Sequence, residues 1–150
     1  MKKTNRFNLS RQLSLLIVLV SFAACASISL FDHYAYTQTT SLKVDALNCL
    51  ELAMQDYTTN EKTVEALQSN LQKAYEYEKH RPQNKITLQL WDKLLDSNGH
   101  LLGGCLKRWQ TEKKLSAVFV QEEKKIVGEA FDQIAELESK KIKASDIKSN

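Results

Sequence analysis

Hydrophobic residues recur at three- and four-residue spacing along most of the chain, and this spacing places side chains on one face of an α-helix. The first such stretch predicts a helix over residues 33–57. The second predicts a helix from residue 58 that ends before Arg81-Pro82, because the residue ahead of a proline avoids helical geometry. Thr58 stands three residues before Glu61, a capping-box pattern that marks the start of this second helix.

The same period continues over residues 85–111, where Ser97-Asn98-Gly99 interrupts the composition without changing the phase of the hydrophobic stripe. Trp91 and Trp109 are 18 residues apart, which is five helical turns, so one continuous helix puts both indoles on the same side. We expect one helix with a weakened middle; the alternative is two short helices divided at Gly99. A last helix is predicted from Ser116, a favoured N-cap residue, to about residue 139.

Four helical stretches joined by short links predict an all-α fold, an antiparallel bundle of about four helices. The composition agrees, because four glycines and one proline in 150 residues are too few turn residues for a sandwich or a barrel. This length allows one domain. We therefore assign residues 33–139 to the bundle and residues 140–150 to a flexible basic tail.

The first 24 residues have the pattern of a secretory signal peptide, in which a basic head precedes an apolar run that ends in small residues. The run closes on Phe22-Ala23-Ala24-Cys25-Ala26, which resembles the lipobox of bacterial lipoproteins. The resemblance implies that the signal, residues 1–24, is cut before Cys25, that this thiol and the new amino group are acylated, and that residues 25–32 form a lipidated linker. Phe22 departs from the family, which usually has Leu or another aliphatic residue there. Ala26, where retained lipoproteins have Asp, implies passage to the outer membrane of a Gram-negative host.

Two other interpretations of this segment remain open. Ala24-Cys25-Ala26 also fits the A-x-A site of ordinary signal peptidase, which would release a soluble secreted protein. The uncharged stretch from Leu13 to Phe31 spans 19 residues, close to the roughly 20 that a membrane helix needs, so an uncleaved signal anchor is the other possibility. All three interpretations place residues 32–150 outside the cytoplasm.

Removal of residues 1–24 changes what the net charge implies about nucleic-acid binding and what the number of cysteines implies about disulfide pairing. Without the four basic residues of that segment, 17 of the 21 basic residues remain against 18 acidic ones, so the basic balance that favours nucleic acid disappears. If Cys25 carries lipid, Cys49 and Cys105 remain as an even pair, and in an oxidising compartment we expect them to form a disulfide. The alternative is a pair of buried free thiols. Gly103 and Gly104 would let the backbones of the two helices approach for that bridge.

Signatures of catalysis or of a cofactor are missing from the sequence. The three histidines, at positions 33, 80 and 100, lie in separate elements and form no zinc or haem motif, so we predict no metal and no other cofactor. No nucleophile elbow or phosphate-binding glycine loop occurs. The paired glutamates at 76/78, 122/123 and 136/138 are expected on solvated helix faces among lysines. We therefore predict a protein that is not an enzyme.

A cluster near residue 80 is the strongest candidate for binding a partner. Tyrosine and arginine are common interface anchors, which singles out Tyr75, Tyr77, His80 and Arg81. Tyr34 and Tyr36 either contact lipid headgroups or pack on the end of the bundle. We expect a lipid-anchored, periplasm-facing, non-catalytic protein that binds another envelope component, with oligomeric state open. The alternatives are a signal-anchored sensor-like bundle with a ligand pocket near Trp91 and Trp109, and an exclusion or immunity lipoprotein.

Overall fold

The computed structural model describes residues 29–140 together with residues 142, 143 and 146. Cys25, the signal segment and most of the tail therefore lie outside the described residues. The described chain folds into five α-helices and contains no strand: α1 is His33–Glu51, α2 Tyr57–Lys79, α3 Lys85–Leu95, α4 Leu102–Glu112 and α5 Ala117–Glu138. A short 3-10 turn, Leu52–Met54, extends α1. The predicted all-α fold is confirmed.

The helices form four antiparallel legs, with α3 and α4 in line as the third leg. We call the end of the bundle that holds residues 29–34, 78–84 and 136–140 the base, and the opposite end the tip. At the tip, the amide of Tyr57 donates to the carbonyl of Lys113 and the amide of Leu115 donates to the carbonyl of Ala53, both at 2.8 Å. The first leg packs on α2 and α5, and the third leg packs on the same two helices from the other side. Consecutive legs are thus neighbours, and α1 and α4 stand on a diagonal.

Two tryptophans hold the third leg in the core. Trp91 of α3 is fully buried with its ring edge-on to Phe131, at 6.1 Å between centroids. Trp109 of α4 is also fully buried, packs edge-on against Tyr57 at 5.4 Å, and donates from Nε1 to the carbonyl of Gln55 at 3.0 Å. Both indoles therefore face the core, as their spacing predicts.

The prediction of one continuous helix over residues 85–111 is wrong, and the alternative of two short helices is right. After α3, the Asp96 carboxylate accepts from the amide of Asn98 at 2.8 Å and the Asp96 carbonyl accepts from the amide of Gly99 at 3.0 Å, which closes a turn. A Cβ added to Gly103 would lie 2.2 Å from the carbonyl oxygen of Leu95, and one added to Gly104 would lie 2.0 Å from that of Gly99. The glycines therefore allow α4 to pack against the turn itself, not against α1 as the sequence suggested.

Helix boundaries follow local capping chemistry, and two of the predicted boundaries are wrong. The first helix, predicted over residues 33–57, ends at Glu51, and its 3-10 extension ends at Met54. Ser116 caps α5 as predicted, accepting from the amide of Phe119 at 3.3 Å. The second helix ends at Lys79, ahead of the proline as predicted. Its start is wrong by one residue, because Asp56 and not Thr58 is the N-cap: the Asp56 carboxylate accepts from the amide of Thr58 at 2.9 Å.

The expected disulfide is absent, and Cys49 and Cys105 are both free thiols. Their helices, α1 and α4, are diagonal legs, whereas a disulfide needs Cα atoms within roughly 7 Å of one another. Burial raises the pKa of Cys49 to about 11 and that of Cys105 to about 12. Thiol–disulfide exchange requires a thiolate, so these buried thiols are poor nucleophiles at neutral pH.

None of the helices in the described residues is both long enough and apolar enough to cross a membrane. The apolar stretch from Leu13 to Phe31, on which the signal-anchor interpretation rests, lies almost entirely outside the described residues.

Candidate functional site at the base of the bundle

The chain crosses the base of the bundle before it enters α1. Ser29 is buried and donates from its hydroxyl to the side-chain oxygen of Asn84 at 3.2 Å. The carbonyl of Leu30 accepts from Nη2 of Arg81 at 2.8 Å, and the amide of Asp32 donates to the carboxylate of Glu138. Residues 29–32, which the sequence analysis assigns to a linker, are thus fixed to the ends of α2 and α5.

A buried ion-pair cluster, which we call the basal clasp, lies beneath this segment and consists of Arg81, Glu78, Glu138 and Asn84. Arg81 donates from Nη1 to Glu138 at 2.7 Å and from Nη2 to the other oxygen of that carboxylate at 2.8 Å. Nη1 also donates to Glu78 at 2.9 Å, and the Asn84 amide donates to the Glu78 carbonyl at 2.8 Å as well as to its carboxylate. The side chains of Arg81, Glu78 and Glu138 are only 8 %, 4 % and 3 % exposed. The clasp therefore joins α2, α3 and α5 through bonds that water does not screen.

The clasp changes the ionisation of its members. Burial raises the pKa of Glu78 above its ordinary value, although the Asn84 hydrogen bond and the Arg81 charge act in the opposite direction. Burial alone would lower the pKa of Arg81, but hydrogen bonds and charge from Glu138 and Glu78 outweigh it and raise that pKa. Arg81 thus stays cationic with two carboxylates on one guanidinium, an arrangement that favours a fixed geometry over reactive chemistry.

Asp32 joins the clasp to the exposed surface. One oxygen of its carboxylate caps α1, accepting from the amides of Tyr34 at 2.8 Å and Ala35 at 3.1 Å. The other oxygen accepts from the hydroxyl of Tyr77 at 2.6 Å. The Tyr77 hydrogen bond, with help from the backbone of Ala35, lowers the pKa of Asp32, and the same bond raises the pKa of Tyr77. Tyr77 is thereby held in one orientation at the surface.

An open groove of about 980 Å³, which we call the basal groove, lies above this network. Its walls expose Leu30, Phe31, Tyr34 and Tyr77 by 79 %, 51 %, 57 % and 37 %. Tyr34 and Tyr77 meet edge-on at 4.8 Å between ring centroids, so they form one aromatic wall. Lys73 and His80 also line the groove. The result is an apolar and aromatic surface with polar side chains beside it, including the cation of Lys73 and the carboxylate of Glu76.

Of the four residues predicted to bind a partner, the structure brings three together. Tyr77, His80 and Arg81 all line the basal groove, but Arg81 is mostly buried in the clasp and has a structural role. His80 is exposed, and its Nε2 lies 3.8 Å from Oε2 of Glu76. Tyr75 faces elsewhere, with its hydroxyl donating to Asp92 at 2.7 Å between α2 and α3. Tyr77 and His80 are therefore the predicted residues available to a ligand.

The sequence analysis missed the acidic half of the clasp. Glu78 and Glu138 were expected on solvated faces, and that prediction is wrong, because they are 3 % and 4 % exposed. Glu123 is half-buried, and one of its carboxylate oxygens is buried without a hydrogen-bond partner.

The described residues contain no group of three or more His, Cys, Asp or Glu side chains arranged to hold a metal ion. Comparison of this chain with models of protein families, with curated proteins and with solved structures finds no match.

Proposed function

We propose that this protein is a lipid-anchored, non-catalytic binding protein of the bacterial cell envelope that faces the periplasm and acts through the basal groove. The observation that carries the proposal is the position of this groove. It opens beside Ser29, four residues after Cys25, where the lipobox resemblance puts the anchor. The binding surface and the predicted anchor thus belong to the same end of the molecule.

The chemistry of the groove supports binding over catalysis. Its buried ionisable groups are committed to one another, since each of the two oxygens of Glu138 accepts from Arg81. The surface that remains accessible consists mainly of apolar and aromatic side chains, with His80, Lys73 and the half-exposed carboxylate of Glu76 beside them. Aromatic anchors of this kind are typical of interaction surfaces.

The tryptophan environment bears on the sensor-like alternative. Trp91 and Trp109 are fully buried and occupy the space in which that alternative places its ligand. A sensor built on this bundle would therefore have to bind its ligand elsewhere, and the basal groove would be the candidate.

Localisation of the full chain in a Gram-negative host tests the proposal. We expect the wild-type protein in the outer membrane in its shortened form, and Cys25→Ser as an uncleaved precursor in the inner membrane. Ala26→Asp is the matched control, because it keeps the acylated cysteine and should be processed normally but retained at the inner membrane. A wild-type chain recovered free in the periplasm would contradict the proposal.

A further inference from the structure

We propose that the basal groove docks on the phospholipid headgroup layer of the membrane that carries the anchor, so that the bundle stands on its base. This inference rests on the proposed anchoring and names the partner of the same surface. Its first support is the distribution of exposed apolar side chains. Among the described residues seven large hydrophobic side chains are exposed, and four of them, Leu30, Phe31, Tyr34 and Tyr77, lie at the base. The other three, Val44, Val118 and Ile126, are scattered single residues of the kind that needs no partner.

The length of chain between anchor and groove is the second support. Three residues lie between Cys25 and Ser29, and the four steps from one to the other span at most about 14 Å when fully extended. Ser29 itself is fixed to Asn84, and Leu30 to Arg81, so the base cannot swing far from an acyl chain on Cys25.

The composition of the groove matches a membrane interface. Tyrosine concentrates at the level of lipid headgroups because its ring is amphipathic, and Phe and Leu side chains enter the boundary between headgroups and acyl chains. Tyr77 is exposed on its ring while its hydroxyl is satisfied by Asp32, and Phe31 is supported by Tyr36 at 6.2 Å. Lys73 lines the groove, and Lys79 and Lys85 are exposed residues at the adjoining ends of α2 and α3. Nζ of Lys79 pairs with Glu76 at 3.5 Å, so Lys73 and Lys85 are the cations that phosphate groups would meet here.

The geometry also provides an internal control. All four legs run between base and tip, and Val118, in the first turn of α5, is 71 % exposed. Twenty helical residues separate it from Glu138 at the base, which places it about 30 Å away along the helix axis. A bilayer that contacts Leu30 and Tyr34 therefore cannot reach Val118.

The test attaches an environment-sensitive nitrobenzoxadiazole dye to single cysteines introduced as Leu30→Cys, Tyr34→Cys and Val118→Cys in the full chain. Cys25 carries lipid in the anchored protein, and Cys49 and Cys105 are buried with raised pKa values, so the parent chain should take up no dye. Each labelled protein is purified in detergent and reconstituted into vesicles of phosphatidylethanolamine and phosphatidylglycerol. We expect a blue shift and quenching by brominated lipids at positions 30 and 34, and neither at position 118.

The alternative outcomes separate the two proposals. Vesicle-bound protein whose dyes at 30 and 34 behave like the dye at 118 would overturn the docking inference and leave the anchoring intact. Dyes at 30 and 34 that are blue-shifted in vesicles but not quenched by brominated lipids would show that a second copy or another part of the chain, and not lipid, covers the groove, which also overturns the inference. Protein that does not remain with the vesicles would contradict the anchoring and the inference together.

Discussion

The guanidinium of Arg81 and the carboxylate of Glu138 form a buried two-pronged ion pair, with N–O distances of 2.7 and 2.8 Å, although 57 residues separate them in the chain. This pair fastens the end of α2 to the end of α5. Nη2 donates not only to Glu138 but also to the carbonyl of Leu30, so one side chain connects the bundle to the segment that leads to the anchor.

Loss of the clasp should be strongly destabilising. Arg81→Ala would leave the carboxylates of Glu78 and Glu138 buried without their cation, and we expect the free energy of unfolding to fall by about 3–5 kcal/mol. Denaturant titration followed by circular dichroism measures this fall.

Arg81→Lys keeps the positive charge but lacks the planar guanidinium that binds both carboxylates, so it should lose less stability. This variant serves if the alanine variant does not fold. Lys79→Ala is the control, because its pair with Glu76 is about half exposed and should contribute at most about 1 kcal/mol. Equal stability of the Arg81→Ala variant and wild type would refute the structural role of the clasp.

Stability should depend on pH through Glu78. Burial raises the pKa of Glu78 in the folded protein above its ordinary value of 4.5. At pH values between 4.5 and this raised pKa, the folded protein keeps a proton that the unfolded chain has lost. The free energy of unfolding should therefore increase as the pH falls from neutral toward 4.5. Below about 3.8 it should decrease, because the lowered pKa of Asp32 gives a contribution that is lost on protonation.

Unfolding titrations of wild type and Glu78→Gln across this range check the assignment. The variant should lose part of the increase between neutral pH and 4.5. Glu123, whose pKa burial also raises, should account for a further part, so Glu123→Gln is the companion variant. Identical slopes in wild type and Glu78→Gln would exclude Glu78 as a source of the pH dependence.

Glycine substitutions should separate the turn between α3 and α4 from the rest of the bundle. In Gly104→Ala the new methyl would collide with the backbone oxygen of Gly99, and we expect a loss of about 1–3 kcal/mol from overpacking. Gly128→Ala is the matched control, because its methyl would lie 3.7 Å from Lys43 Cε and 3.9 Å from the Leu47 methyl groups, an ordinary contact. Alanine is favoured over glycine in a helix by about 1 kcal/mol, so this variant should be more stable than wild type. Thermal melts of the two variants should shift in opposite directions; a shared direction would contradict the described turn.

The two core cysteines should behave as unreactive free thiols. In the folded protein we expect very slow reaction with a thiol reagent, because burial raises both pKa values and excludes the reagent. In denaturant without reductant, both Cys49 and Cys105 should react. The melting temperature should be the same with and without reductant. If Cys49 and Cys105 do not react in the denatured, unreduced protein, the two cysteines form a disulfide and this prediction is wrong.

The helices themselves were predictable from sequence because their signals are local. The hydrophobic period, the Ser116 cap and the stop before Pro82 each depend on residues within one or two turns of one another. The break after Leu95 was not predictable, since the stripe from Trp91 to Trp109 keeps its phase while the packing of Gly103 and Gly104 on the turn is a tertiary contact.

The clasp escaped prediction for a related reason. Glu78 and Glu138 are flanked by lysines and serines that suggest a solvated face, and what buries them is Arg81 together with the segment at Ser29. The sequence placed Tyr77, His80 and Arg81 near a surface of interest, but it gave no indication that Arg81 is internal. Only the three-dimensional meeting of α2, α5 and the entering chain separates the structural arginine from the exposed tyrosine.

The intact mass of the full-length protein purified from bacterial membranes, beside that of Cys25→Ser, tests the central claim most directly. Our account predicts that the wild-type chain lacks residues 1–24 and carries the added mass of acyl groups, and that the variant keeps the whole signal without modification. A wild-type chain that is uncleaved and unmodified would contradict the lipid anchor and make residues 13–31 a membrane helix.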